Sequence, residues 1–501
     1  MITNEAKIKV AVVGLDGMAW HILTKLFESD AMPILNKMAK NSMRGILEST
    51  LPPFTPTAWT SIATGVNPGK HGIFDFLVFS ENNHSNIRLA NSHDVGYPRI
   101  HEMLALKGFK TVCINQPLTY PIVKIKGATI ISDWISPKLS YYPKSISDYI
   151  QSYKPNTPFW KFIKNPKAAV RESLNRANVI NKLAQELEWD LFWVIYSEPD
   201  HIFHGNYRKI MKTKNAFIEI FQTIDNTIEI VSRKADMILI VSDHGFNEYK
   251  YTININSILH NLGLLTTTWR KTTKHPADFL ADHISEIKSV KLPTKLHSFL
   301  LRHRFLKSII KKLYRKVTGK ELTAEKPDVD MKLSKAFLLS GSSHGIYVKE
   351  RNIIDYIVHE LGKIKYIKKV YKREQLFHGP YVKKAPHILV EPYFEKGYTL
   401  AGTAKVAPQV VSAGTVYGHH PEGILIAFGR NIPALWLNRP IQTVDIVPTI
   451  LHYMGMPIPV DTDGTPIPNI NYPQKQIKYY DYLKHWQLIR QIQLKKRKLA
   501  I

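Results

Sequence analysis

Six potential metal ligands and one hydroxyl stand in a fixed order along the chain. They are Asp16 in VVGLDG, Thr55 in PPFTPTAWTSIATG, Asp200 and His204 in EPDHIFH, Asp243 and His244 in VSDHG, and His419 in GHHPEG. Three of these clusters directly follow apolar runs that read as strands: KVAVVGLDG, LFWVIYSEPD and MILIVSDHG. In an open α/β sheet several loops converge at the strand ends, so chemistry collects there. Carboxylates and imidazoles gathered at such an edge suit one or two divalent transition metals. The chemistry implied is metal-dependent hydrolysis.

Taken singly the fragments say little. Asp200 and His204 are four residues apart, which on a helix puts both on one face, as two ligands of one ion require. Asp243 and His244 are adjacent, so both can face one ion only if the chain turns sharply, and Gly245 permits such a turn. Order and position after strands make the set far more specific than its members.

Composition narrows the chemistry. Cys113 is the only cysteine, within FKTVCIN, and reads as a buried small hydrophobe; an internal disulfide and a thiolate metal cage are both excluded. The chain has 501 residues, 44% of them hydrophobic and 22% charged, which suits one large α/β domain with inserts. MITNEAKIKVAVVGLDG enters a strand almost at once without the pattern of a secretory signal, and no run approaches about 18 apolar residues. The expectation is a soluble, cytoplasmic protein without a transmembrane segment. Its 68 Lys and Arg against 41 Asp and Glu give a net charge of +27, a field that attracts anions. The excess concentrates in residues 269–326 and in the tail KQIKYYDYLKHWQLIRQIQLKKRKLAI, a possible contact for an anionic membrane or nucleic acid. Neither stretch carries a nucleic-acid-binding motif.

The positioning elements alternate. KVAVVGLDG, FKTVCIN and ATIISDW read as strands, and MAWHILTKLFES and PILNKMAKNS as helices. WDLFWVIYSEPD and ADMILIVSDHG are near-continuous apolar runs, as parallel strands covered on both faces require, and AFIEIFQTIDNTIEIVSRK between them is an amphipathic helix. The rhythm resumes after residue 336 with GIYVKE, NIIDYIVHELGKI, HILVEPYF, ILIAFG and TVDIVPTILHYMG. Residues 1–250 and 336–470 therefore read as one catalytic domain, 251–335 as a basic helical insertion that could cap the site, and 471–501 as a basic tail.

DG near the start, a hydroxyl upstream of TG, PDxxxH, SDHG and the late GHHPEGILIAFG together resemble the alkaline phosphatase superfamily. Within it the similarity is greatest to the type I phosphodiesterase/nucleotide pyrophosphatase branch, over residues 8–80, 190–250 and 410–465. DIVPTILHYMGMPIPVDTDG is similar to that family's C-terminal helix-and-turn element. The resemblance implies a three-layer α/β/α sandwich with a mainly parallel sheet. It also implies hydrolysis of a phosphoester, a diester before a monoester, on two divalent metals, with Zn the default and Mn the alternative. Asp200, His204 and His419 would hold one ion; Asp16, Asp243 and His244, with the oxygen of Thr55, the other. Thr55 would be the nucleophile, ten residues before Gly65 of the TG pair and N-cap of a helix beginning at Pro56; Thr57 is the second choice, and otherwise a phosphate contact. His420 is the alternative to His419.

One departure concerns substrate. Nucleotide-cleaving relatives carry Asn three residues after the nucleophile, where this chain has Ala58. TPTAW lacks the xPSR of sulfatases, and metal-dependent phosphoglycerate mutases use serine in another context. His71, His201 and His344 read as neighbours of the site, and Trp20, Trp59 and Trp134 as core. The competing reading is a phosphomutase, a headgroup phosphotransferase, or a module that binds anionic surfaces.

Overall fold

The computed structural model describes residues 7–79, 87–154, 165–212, 216–268, 289–292, 321–324, 328–402, 405–470 and 476–499. Its centre is a ten-stranded sheet. The strand Val10–Leu15 lies in the middle, parallel to Leu191–Tyr196 on one side and to Met237–Val241 on the other. Thr111–Ile114 and Ala128–Ile131 extend the parallel part beyond Leu191–Tyr196. Glu422–Gly429 adds antiparallel to Met237–Val241, and Met43–Glu48 adds antiparallel to that.

Strand alternation splits the core in two. Ala11, Val13 and Leu15 point into a cluster with the helices Trp20–Glu28, Pro33–Lys40, Pro166–Glu186 and Ile218–Ser232. Val10 and Val12 point the other way, towards the helices Thr55–Thr64, Ile100–Leu106 and Ile446–Tyr453. Both faces are covered, which is why the central strands are apolar throughout. The result is the expected three-layer α/β/α sandwich with a mainly parallel sheet.

A second core, outside this sandwich, is built around a four-stranded sheet containing Ala336–Leu338, Gly345–Val348, Ile367–Lys372 and Ile388–Pro392. Ile253, Ile255, Ile258 and Leu259 pack into it, so the start of the 251–335 stretch belongs to this core. Within that stretch the described elements are the helix Ile255–Asn261 and short paired strands. Most of the basic helical insertion expected over 251–335, namely residues 269–288, 293–320 and 325–327, lies outside the described residues. The tail is a helix over Tyr482–Leu499. Among the described residues no helix is long and apolar enough to cross a membrane.

Candidate metal centre

The site forms where four chain segments meet at the ends of the central strands. Asp16 follows Val10–Leu15, and Asp243 and His244 follow Met237–Val241. Asp200 and His204 lie one turn apart on the helix Glu198–Ile210. His419 arrives on Val411–His420, which pairs antiparallel with Gly245–Ile253 so that His419 stands opposite Phe246.

The loops are laced together by their own backbones. Gly17 N–H donates to Asp243 Oδ1 at 3.3 Å, and Met18 N–H to Ser242 Oγ at 2.9 Å. Gly17 takes a left-handed φ of 72° with Asp200 packed against its Cα, a place where any side chain would be both strained and crowded. The role expected of Gly245 differs in its cause. Its φ is not left-handed; a Cβ there would strike the carbonyl of Glu422, so glycine is needed for close approach.

Two constellations result. Asp200 Oδ1 is 3.4 Å from His204 Nε2 and 3.3 Å from His419 Nε2, and the two imidazole nitrogens are 3.2 Å apart. A tetrahedral ion with bonds of roughly 2.0–2.1 Å separates its ligands by about 3.3–3.4 Å. The spacing is therefore that of three corners of one coordination tetrahedron. In the second, Asp16, Asp243 and His244 bring ligand atoms within 4.8 Å of one another. His244 Nε2 is 3.2 Å from Asp243 Oδ2, 3.7 Å from Asp16 Oδ1 and 3.2 Å from Thr55 Oγ1.

Outer partners aim these atoms inward. His244 Nδ1 is 2.9 Å from the carbonyl of Gly245 and His419 Nδ1 is 3.0 Å from that of Pro53. A carbonyl can only accept, so each Nδ1 carries the proton and each Nε2 presents a lone pair to the site. Trp59 Nε1 donates to Asp16 Oδ2 at 3.2 Å, leaving Oδ1 for the centre. Trp59 read as core in the sequence; it is fully buried, yet its indole N–H also orients a site carboxylate. No local pattern marks that contact, because Asp16 is 43 residues away.

The electrostatics are unbalanced without cations. Burial raises the pKa of Asp16 well above the carboxylate range, and the charges of Asp243 and Asp200 add to it. Asp243 is raised by burial and by Asp200. Burial also opposes the charged form of Asp200, but His204 and His419 outweigh it and hold that carboxyl low. His244 is held neutral by burial and the neighbouring His419. Asp16 Oδ1, Asp200 Oδ1 and Asp243 Oδ2 are all buried without a hydrogen-bond partner. Orphaned carboxylate oxygens in one dry spot, facing imidazole lone pairs, are what a pair of divalent ions would satisfy.

Thr55 is the first residue of its helix, with Phe54 one place earlier in the capping position rather than Thr55 itself. The N–H groups of Thr57 and Ala58 donate to the carbonyl of Phe54, which frees the Thr55 hydroxyl to face His244. Thr57 Oγ1 is buried and has no partner. Ala58 is fully buried within the same helix. His420 Nδ1 accepts from Glu422 N–H at 3.2 Å within its own turn, while its neighbour His419 reaches Asp200 and His204. His71 is a structural corner: its Nε2 is 2.9 Å from Ser61 Oγ and its Nδ1 accepts from Ile73 N–H. His201 packs edge-on against Trp134. His344 has a left-handed φ of 50°, lies against Phe394, and has a buried Nδ1 without a partner.

The sandwich is that of alkaline-phosphatase-like enzymes. Phosphonoacetate hydrolase from Sinorhizobium meliloti 1021, in complex with phosphonoformate, shares the fold with a TM-score of 0.55 at 15% identity, over 88% of this chain and 94% of that one. An inactive murine ectonucleotide pyrophosphatase/phosphodiesterase 5 in complex with AMP gives 0.53 at 13%, over 91% and 98%. The alkaline phosphatase PafA gives 0.53 at 12%, over 92% and 99%. No curated protein matches this chain in sequence. Residues 10–336 match the model of the type I phosphodiesterase/nucleotide pyrophosphatase family, and the chain belongs to that family. It is a phosphoester hydrolase.

Proposed function

We propose that this hydrolase is a two-metal phosphodiesterase with Thr55 as nucleophile. The observation that carries the reading is the trio of buried, unpartnered oxygens of Asp16, Asp200 and Asp243, facing imidazole nitrogens beside the Thr55 hydroxyl. Asp200, His204 and His419 would hold one ion, and Asp16, Asp243 and His244 the other. When bound, such a pair lowers the pKa of a hydroxyl or water and neutralises charge on the phosphoryl oxygens. Zn suits the imidazole-rich set and Mn is the alternative.

Thr55 Oγ would lose its proton and attack phosphorus while the bond to one ester oxygen breaks; that alcohol would depart protonated, leaving phosphorus on Thr55 with its second ester group, and water would then release the phosphomonoester and restore the hydroxyl. The N-terminal end of the helix Thr55–Thr64 favours the anion beside it. Thr57, with its free hydroxyl oxygen, is a phosphate contact. A small phosphodiester is the substrate class. The relative that binds AMP suggests a nucleotide-like one, while the apolar Ala58 offers no amide to a nucleotide phosphate.

The test compares bis(p-nitrophenyl) phosphate with p-nitrophenyl phosphate after chelation and re-addition of Zn or Mn. Metal-restored diester turnover, absent from Thr55→Ala but with metal content retained, is expected. Turnover surviving in Thr55→Ala and lost in Thr57→Ala would move the nucleophile. Activity unaffected by chelation would refute the two-metal reading.

A further inference from the structure

We infer that the C-terminal helix Tyr482–Leu499 is a docking surface for an anionic lipid bilayer, independent of the reaction at the metal centre. One face of the helix is used by the fold. Tyr482 and Trp486 are buried, the Tyr482 hydroxyl donates to the Pro457 carbonyl, and Arg490 donates to the Val95 carbonyl while its guanidinium covers the Trp486 ring. Gln493 donates to the Lys124 carbonyl on the same side. The helix is therefore fixed to the body, and its other face is held outward.

That outward face is Lys484, His485, Gln487, Leu488, Gln491 and Ile492, the spacing of a continuous helical stripe. Leu488 is 56% exposed and Ile492 46%. The segment leading into the helix adds Ile477 at 40% and Tyr479 at 62%. Val460, 57% exposed, joins them where its N–H meets the Tyr480 carbonyl. Ten large hydrophobic side chains are exposed among the described residues, and half of them gather in this one region, so chance scatter is a poor account.

Charge selects the occupant. The helix sequence YLKHWQLIRQIQLKKRKL has six Lys and Arg and no Asp or Glu, and four of the six are consecutive, Lys495 to Lys498. Lys107 is added from the body, its ammonium over the Tyr480 ring at 3.0 Å. A second copy of this chain would bring a basic face against a basic face, which repels. A nucleic acid would use the charge and could stack on Tyr479, but it would leave the exposed Leu488, Ile492, Ile477 and Val460 without a partner. An anionic bilayer uses both, aliphatic side chains entering the headgroup boundary while Lys484 beside them and the basic charge of the helix sequence draw acidic lipid.

The test is co-sedimentation of the full chain with vesicles of phosphatidylcholine alone or mixed with phosphatidylglycerol. Binding to the mixed vesicles that weakens with salt is expected. Neutralising one surface lysine costs roughly fivefold in partition. Replacing Lys495, Lys496, Arg497 and Lys498 together with Gln should thus cost on the order of several hundredfold. Leu488→Gln with Ile492→Gln should weaken binding as well, and both variants should keep wild-type turnover of a soluble diester, which checks folding. Absence of binding, or binding that neither variant changes, overturns the proposal. Equal retention on single-stranded nucleic acid that ignores the Leu488 and Ile492 change overturns it in favour of a polyanion. Loss of diester turnover in every form, with vesicle binding intact, would instead refute the phosphodiesterase reading alone.

Discussion

Replacing Asp243 with Asn should stabilise the metal-free protein while lowering its response to metal. Asp16 and Asp243 bring ligand oxygens within 4.8 Å of one another in a fully buried site. Two unit charges at that distance repel by about 3 kcal/mol at an effective dielectric near 20. Burial, together with the neighbouring carboxylates, raises both pKa values in the folded chain. A carboxyl whose folded pKa is raised binds its proton more tightly folded than unfolded. Its contribution to stability is present below the unfolded pKa and is lost as pH rises through the folded one. The metal-free protein should thus weaken towards alkaline pH, and added Zn or Mn should raise its melting temperature more at about pH 8 than at about pH 5.5. Asn keeps the shape of Asp243 and can still accept from Gly17 N–H, but it removes one of the two carboxyls whose ionisation burial and their neighbours oppose. In chelator its melting temperature at about pH 8 should exceed that of wild type by on the order of 3 °C. Differential scanning fluorimetry across pH, with chelator and with metal, reads both effects. A variant that melts below wild type in chelator, with wild type showing no metal-dependent shift, would mean these carboxylates are an ordinary buried cluster.

Three other outcomes are expected. Burial pushes Asp75 up to about 7, against bonds from Leu77 N–H and the Ser340 and Ser343 hydroxyls, so it favours the folded state below pH 4 and loses about 4 kcal/mol by neutral pH. Asp75→Asn should flatten the wild-type fall in melting temperature over that window, and parallel profiles would refute the assignment. His419→Ala removes one corner of the Asp200–His204–His419 set, so bound metal measured by mass spectrometry should drop by about one equivalent and diester turnover by at least about 10-fold. Gly14 lies under the Trp59 ring, where a Cβ has no room. Gly14→Ala should therefore cost about 1–3 kcal/mol in urea unfolding and, by displacing the indole from Asp16, also weaken metal retention.

The candidate metal centre divides by how local its determinants are. Asp16, Asp200, His204, Asp243 and His244 were legible because each follows an apolar strand or sits one helical turn from its partner. Strands covered on both faces leave a continuous apolar signature, so Val10–Leu15, Leu191–Tyr196 and Met237–Val241 announce their own ends. His419 is different. It reaches the site only because VSAGTVYGHH pairs with GFNEYKYTI across more than 150 residues, in a register that sets His419 opposite Phe246. Neither segment is apolar enough to read as a strand: GFNEYKYTI mixes Gly, Asn, Glu and Lys with its aromatics, and VSAGTVYGHH, partly exposed along its length, is mostly small and polar residues. A one-residue slip would turn His419 away and present His420 or Gly418. What holds the register is tertiary: the Tyr249 hydroxyl donates to the His419 carbonyl at 2.8 Å, and His419 Nδ1 meets the Pro53 carbonyl two residues before Thr55. That last contact also ties the imidazole to the segment carrying the hydroxyl. The positions of the Thr55 hydroxyl and of the His419 imidazole are therefore one structural fact, and a perturbation of the Tyr249 hydroxyl should move both. Tyr249→Phe should lower metal retention and turnover together while leaving the melting temperature of the metal-free protein within about 2 °C of wild type; turnover falling with metal content unchanged would show that the register is held elsewhere.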